Sequence, residues 1–246
     1  MLKVATKFKP KTTAFETAQA AGFQYAEFWL DKRWLSEWKS VAKQAQEFQL
    51  RYALHFPNRG ELGETTLCDA VRLYRQLECS AMVIHAPMLR RYGQRLVELD
   101  STLRLGVENH RLTPAEFDHW ACEHQWLTLD IEHLWKFTLA DASTDTLLKA
   151  LEEFLRRFGD KLIHVHLPGY APGCDEHRPM YCSREMVLPV LSLLADHEFD
   201  GLIVSEVNAQ FQNFHELRMD VLLFERWQQI HRSDKKRQAS ADPKVA

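Results

Sequence analysis

The segment LIHVHLPGYAPGCDEH, residues 162–177, places His164, His166, Asp175 and His177 within fourteen positions. Imidazoles and carboxylates move protons near neutral pH and ligate borderline or hard divalent metals. Similar groups stand at the ends of other apolar runs. Glu27 lies in YAEFWL, His55 in RYALHF, His85 in AMVIHA and Glu108 in LRLGVEN. Asp130 lies in WLTLDIE with His133 three residues on, and Glu206 lies in GLIVSEV. Carboxylates gathered in one dry pocket repel each other unless a cation neutralises them. Glu108, Asp130, His166 and Glu206 form a mixed oxygen and nitrogen donor set. That set suits a divalent metal ion: Mn2+, Mg2+, Co2+ or Zn2+.

Convergence of such distant residues requires a particular fold. Eight short apolar or β-rich runs recur, at 2–8, 25–30, 51–56, 81–86, 103–109, 126–132, 162–167 and 201–207. Helix-like segments separate them. TPAEFDHWACEHQ opens with a Thr cap and a Pro in the first turn, as a helix start should. TDTLLKALEEFLRRF places apolar residues along one helical face. LRRYGQRLVELDST carries Gly93 and predicts a shorter helix. Alternating strands and helices at this length predict the α/β class and a single (β/α)8 TIM barrel over residues 1–231, with 232–246 a flexible tail. An open doubly wound sheet is the alternative, but no G-x-G-x-x-G follows the first strand. In a parallel barrel all strand ends open on one face, which carries the chemistry.

Alternation sets the facing. Glu108 shares a face with Gly106, Asp130 with Thr128, His166 with His164, and Glu206 with Val204. His164 therefore reads as a buried residue below the metal layer or a partner behind a ligand. Glu27 reads as a substrate contact or a cap on the barrel mouth. His110, His119, His124, His197, His215 and His231 read as surface residues. The aromatic stretch FWLDKRWLSEW reads as helix packing in preference to a pocket wall or a partner surface. Cys174 and Cys182 lack a zinc-knuckle pattern.

Composition narrows the class. Of 246 residues, 46% are hydrophobic and 26% charged, which suits a soluble globular core. A net charge of -3 gives no broad electrostatic reason to bind nucleic acid. No apolar run has the length of a membrane helix or signal-peptide core. Five Cys without a C-x-x-C pair suggest no disulfide framework, so the expectation is a cytoplasmic protein.

The chain resembles the xylose isomerase-like barrel superfamily, which holds sugar isomerases and epimerases and the zinc-dependent endonuclease IV group of AP endonucleases. The resemblance rests on His55 in YALHFPN, His85 in MVIHAPM, VEN at 107–109, DIEH, HVHL, CDEH and the Glu of VSEVN, and covers residues 2 to about 230. In the isomerase branch it implies one metal on Glu108, Asp130, His166 and Glu206, with the two glutamates exchanging a substrate proton through an enediolate and His133 touching substrate. In the endonuclease branch it implies a trinuclear zinc site that adds His55, His85, His133, Asp175 and His177. FPNRGEL after His55 and HLPGY after the seventh strand depart from the endonuclease pattern. The Arg common after the seventh-strand His of ketose epimerases is absent, and Arg178 is the candidate for an anionic group. The resulting expectation is a metal-dependent isomerase or epimerase. Its partner is a small sugar, keto-sugar or sugar acid, with or without a phosphate. Neither membrane nor nucleic acid is an expected partner, and a homo-oligomer is allowed.

Overall fold

The computed structural model describes residues 2–174 and 177–241, with side chains through 235. Eight parallel strands close in chain order into one barrel. They are β1 (Lys3–Phe8), β2 (Tyr25–Trp29), β3 (Arg51–His55), β4 (Met82–His85), β5 (Leu105–Glu108), β6 (Leu127–Asp130), β7 (Leu162–His166) and β8 (Leu202–Ser205). β1 pairs with both β2 and β8, which completes the ring. The helices outside it are α1 (Thr12–Ala21), α2 (Lys32–Ser36), α3 (Trp38–Ala45), α4 (Glu64–Gln76) and α5 (Ala86–Leu99). They continue as α6 (Pro114–Glu123), α7 (Ile131–His133), α8 (Thr144–Phe158), α9 (Arg184–Asp196) and α10 (Phe214–Ala241). The expected (β/α)8 barrel is the fold observed.

The strands are buried on both faces because both are covered. Outward residues such as Leu129, Val165 and Ile203 are fully buried against the helices. Ala5, Ala53, Leu202 and Val204 plug the lower interior, with Tyr25 packed beside them. Gly106 has the same origin: a Cβ there would stand 2.4 Å from Thr128 Oγ1. Above this apolar plug the interior turns polar. Register sets Lys7 beside Glu27, His85 beside Glu108, and Asp130 beside His166.

Four elements differ from the sequence reading. The fourth connection is not a shorter helix: α5 has 14 residues. Pro87 in its first turn starts it directly after β4, and burial of Met88, Tyr92 and Leu96 outweighs the ~1 kcal/mol cost of Gly93. The second helix is broken at Glu37 into α2 and α3. β2 does not end near Glu27 but runs on to Trp29, which puts Glu27 inside the barrel. The last helix continues to Ala241, across the first part of the expected tail, through a run of good helix formers.

α10 is tied to the site through β8. Asp220 on its inner face is fully buried, accepts from Ser205 Oγ and accepts from the Tyr181 N–H. Burial pushes its carboxyl up from 3.8 to about 6, against the hydrogen bonds, which favour the charge. A raised folded-state value contributes stability that is full below the ordinary value and is lost as pH rises through the folded one. The stability of the wild type relative to Asp220→Asn is therefore expected to fall by up to about 3 kcal/mol between about pH 4 and pH 7. Urea denaturation of both proteins checks this, and a difference that stays flat with pH would contradict it.

Candidate metal centre at the barrel mouth

His166 is the hub of the polar interior. Its Nε2 donates to Glu27 Oε2 at 3.1 Å, which leaves Nδ1 facing the strand ends. Nδ1 stands 2.9 Å from Glu206 Oε2, 3.7 Å from Glu108 Oε2 and 3.8 Å from Asp130 Oδ2. None of these contacts has hydrogen-bond geometry: His166 Nδ1 and Asp130 Oδ2 are both buried without a partner. His166 Nδ1 thus faces three carboxylates: Glu108 and Asp130 form one close group with it, and Glu206 groups with Asp130 and His177. A divalent cation fits that donor set, and the carboxylate behind the imidazole fixes the required tautomer. Without one, burial pulls the imidazole down, but Glu27 and Glu206 outweigh it and hold the ring protonated well above its ordinary value.

Each donor is held by its own neighbours. Asn109, at the end of β5, donates Nδ2 to Asp130 O and accepts from the Asp130 N–H. Asp130 Oδ1 accepts from the His133 N–H at 2.8 Å, so the start of α7 fixes the carboxylate. Glu108 Oε2 lies 3.2 Å from Nε2 of both His55 and His85, and Oε1 lies 3.4 Å from His133 Nδ1. Burial would raise Glu108, but His85, His133 and His55 hold it well below the usual carboxylate range. Burial lowers His133, yet Asp130 and Glu108 lift it to about 9.

Lys7 is the residue that the sequence reading missed. Its ammonium is 2.9 Å from Glu206 Oε1 and 3.2 Å from Glu27 Oε1, with the side chain almost fully buried. Burial opposes the ammonium, but these carboxylates raise it beyond its ordinary range. Burial likewise opposes ionisation of Glu206, and Lys7 and His166 hold it well below normal. The signal was visible in the alternation of KVATKF, which turns Lys7 inward. Glu27 has no exposed surface and neither caps the mouth nor lines the cavity. It receives His164, His166 and Lys7 from below the centre. His164 is the buried partner expected, bonded to Glu27 and not to the three upper carboxylates.

A cavity of about 690 Å³ opens above these groups, lined by Lys7, Trp29, His55, His85, Glu108 and His133 among others. His110 is exposed, as expected of a surface residue, and its ring also lines the cavity: it stacks on His85 at 5.0 Å and meets His133 edge-on at 4.7 Å. Arg178 is not among the lining residues of this cavity, and its backbone pairs with Gly169 in the loop after β7. A Cβ at Gly169 would sit 2.1 Å from Pro179 O, so this close pairing needs glycine. Trp29 walls the mouth while Trp34 and Trp38 pack on the core, so the aromatic stretch serves both uses. His177 reaches the cavity, with Nε2 3.8 Å from Glu206 Oε1. Glu132 accepts from its N–H and Asn208 donates to its carbonyl, fixing a φ of +53°. Asp175 lies outside the described residues.

No protein-family model matches the chain. An uncharacterised protein of Mycobacterium leprae (strain TN) is 29% identical over 177 residues, covering 56% of this chain. Those residues span 60% of that relative's length. Among solved structures, a D-tagatose 3-epimerase-like protein matches with a TM-score of 0.69 at 17% identity, covering 95% of this chain and 99% of that one. An L-ribulose 3-epimerase matches with 0.61 at 13%, covering 99% and 100%. The D-allulose 3-epimerase of Methylomonas sp., solved with D-allulose, matches with 0.57 at 16%, covering 91% and 90%. The resemblance noted in the sequence thus holds at the level of fold: this chain shares the single eight-stranded barrel of sugar 3-epimerases.

Proposed function

We propose that this chain is a metal-dependent isomerase or epimerase of a small keto-sugar or sugar acid. One observation carries the reading: His166 Nδ1, backed by Glu27, faces Glu108, Asp130 and Glu206 at the floor of a sugar-sized cavity. The fold of the 3-epimerases supports the reaction class by analogy. A divalent cation on these four residues would polarise the carbonyl of a bound ketose and make the neighbouring C–H acidic. Glu108 and Glu206 supply the proton transfers. One removes the proton beside the carbonyl, and the other, after taking up a proton from solvent, gives it to the resulting enediolate. His55 and His85 orient Glu108, Lys7 orients Glu206, and His133 lies within reach of a substrate oxygen.

A second reading has its own observation. His55 Nδ1 donates to Phe56 O at 3.0 Å, and burial and Lys7 favour the neutral ring. Its Nε2 then turns a lone pair toward Glu108 Oε2, beside the Nε2 of His85. That arrangement suits a further metal, as a multi-zinc phosphodiesterase or AP endonuclease would need. Lys7 weighs against it: the ammonium already occupies Glu206 Oε1, the oxygen nearest His177.

Elemental analysis of protein purified without chelator is expected to give about one metal per chain. Glu206→Gln is expected to keep the fold and lose both ketose turnover and solvent deuterium exchange next to the carbonyl. Full exchange in that variant would remove Glu206 from the mechanism. Two or three zinc ions per chain, with incision of an abasic oligonucleotide, would establish the second reading instead. Glu27→Gln is expected to weaken metal affinity by about 10–100-fold, because His166 loses its charged support. Competition with a fluorescent chelator measures this, and undiminished affinity would make Glu27 a purely structural residue.

A further inference from the structure

The β1 side of the cavity carries more positive charge than the metal centre uses. Alternation along β1 and its extension sets Lys7 and Lys9 on the same inward face. The turn that follows is closed by the Lys11 N–H on Lys9 O at 2.7 Å and keeps Lys11 beside them. All three line the cavity, and Arg111 lines it too. Lys7 is taken up by Glu27 and Glu206. Lys9, Lys11 and Arg111 have no ion-pair partner among the described residues, whereas Arg91 and Arg95 on the outside of the barrel pair with Glu61 and Glu64. Lys9 rests 4.8 Å from the Trp29 ring and Arg111 lies over Phe137, so two of these cations are held by cavity aromatics. The described carboxylates of the lining are Glu108 and Glu206, both deep and already compensated. A chain of net charge -3 thus presents a positive mouth above its candidate centre.

We propose that the substrate is anionic, with a phosphate or carboxylate at the end remote from its carbonyl, and that Lys9 and Lys11 hold that group. This rests on the isomerase reading and narrows it. The scale agrees. Two residues of strand cover ~7 Å, the step from Lys7 to Lys9. A five-bond carbon chain of ~1.5 Å bonds covers roughly 6 Å. A carbonyl beside Glu206 therefore puts the far end of a ketose level with Lys9. Neutral hydroxyls would leave these ammonium groups without a counter-charge, whereas an anion supplies one through charge-assisted hydrogen bonds.

Calorimetry on the metal-loaded full chain tests the assignment with matched ketohexoses, their 6-phosphates and their uronates. Deuterium exchange is followed on the same samples. At least one anionic set is expected to bind about tenfold or more tighter than its neutral parent, a difference that shrinks with added salt. In Lys9→Met/Lys11→Met that ratio is expected to fall toward one. Preference for the phosphates or for the uronates identifies the anion. A ratio that survives in the double variant means the anion sits elsewhere, on Arg111 or on the metal, and overturns the assignment. Equal binding of neutral and charged sugars overturns it, even if exchange proceeds and the isomerase reading stands. No binding of any set also overturns it. Lysine-dependent anion binding without exchange would keep the anion site and remove the isomerase chemistry.

Discussion

Glu27, Glu108, Asp130 and Glu206 are gathered inside one barrel, and the crowding of these charges governs the rest of the interior. Two like charges about 4 Å apart repel by roughly 4 kcal/mol even at an effective dielectric of 20. The chain answers with one buried ammonium, Lys7, and with a ring of imidazoles. The answer is incomplete in the upper layer: among the described residues, His166 Nδ1, Asp130 Oδ2 and His133 Nδ1 are buried without hydrogen bonds. A buried polar group left unpaired is costly, and ligand atoms that converge in this way would suit a divalent cation.

The barrel separates support from chemistry by height. The apolar plug of Ala5, Ala53, Leu202 and Val204 closes the bottom. Glu27, His164 and Lys7 form the next level, where His164 Nε2 and the Lys7 ammonium both serve Glu27. Glu108, Asp130, His166 and Glu206 stand above, opening to the cavity or to each other. Parallel register makes this possible, because each strand adds an inward residue at a set height. Outside the ring, Asp220 ties α10 to Ser205, the residue before Glu206. Helix packing and ligand placement are thus mechanically linked.

The strand ends were legible in the sequence because each apolar run stops at a chemically distinct residue. Glu108, Asp130, His166 and Glu206 needed only alternation and strand order to be brought together. Glu27 was placed one level too high, since its run reads on smoothly to Trp29 and nothing local marks the level of an inward residue. Lys7 was missed for a related reason: a lysine in an edge of charged sequence, KFKPK, reads as solvent-exposed until the barrel closes over it. His110 follows Asn109 in a loop, and only the folded positions of His85 and His133 draw it to the cavity. Arg178 was assigned by adjacency to His177. The fold adds a backbone pairing of Gly169 with Arg178, which no composition rule would have shown.

Identity of 13–17% to three sugar 3-epimerases carries the fold and leaves the substrate open. The discriminating information therefore has to lie where the barrel is least constrained by its own packing. The floor of the cavity is constrained: each donor there is held by two or more neighbours, and changing one disturbs the charge balance of the others. The rim is different. Lys9, Lys11, Trp29 and Arg111 belong to strand ends and loops and Phe137 to the helical turn after α7, and the cations among them balance no buried acid. Folding stability gives little reason to keep several unpaired cations around one opening, since exposed charges contribute little and like charges repel. What does give a reason is a ligand whose own charge completes the rim, in the way a divalent cation would complete the proposed centre at the floor.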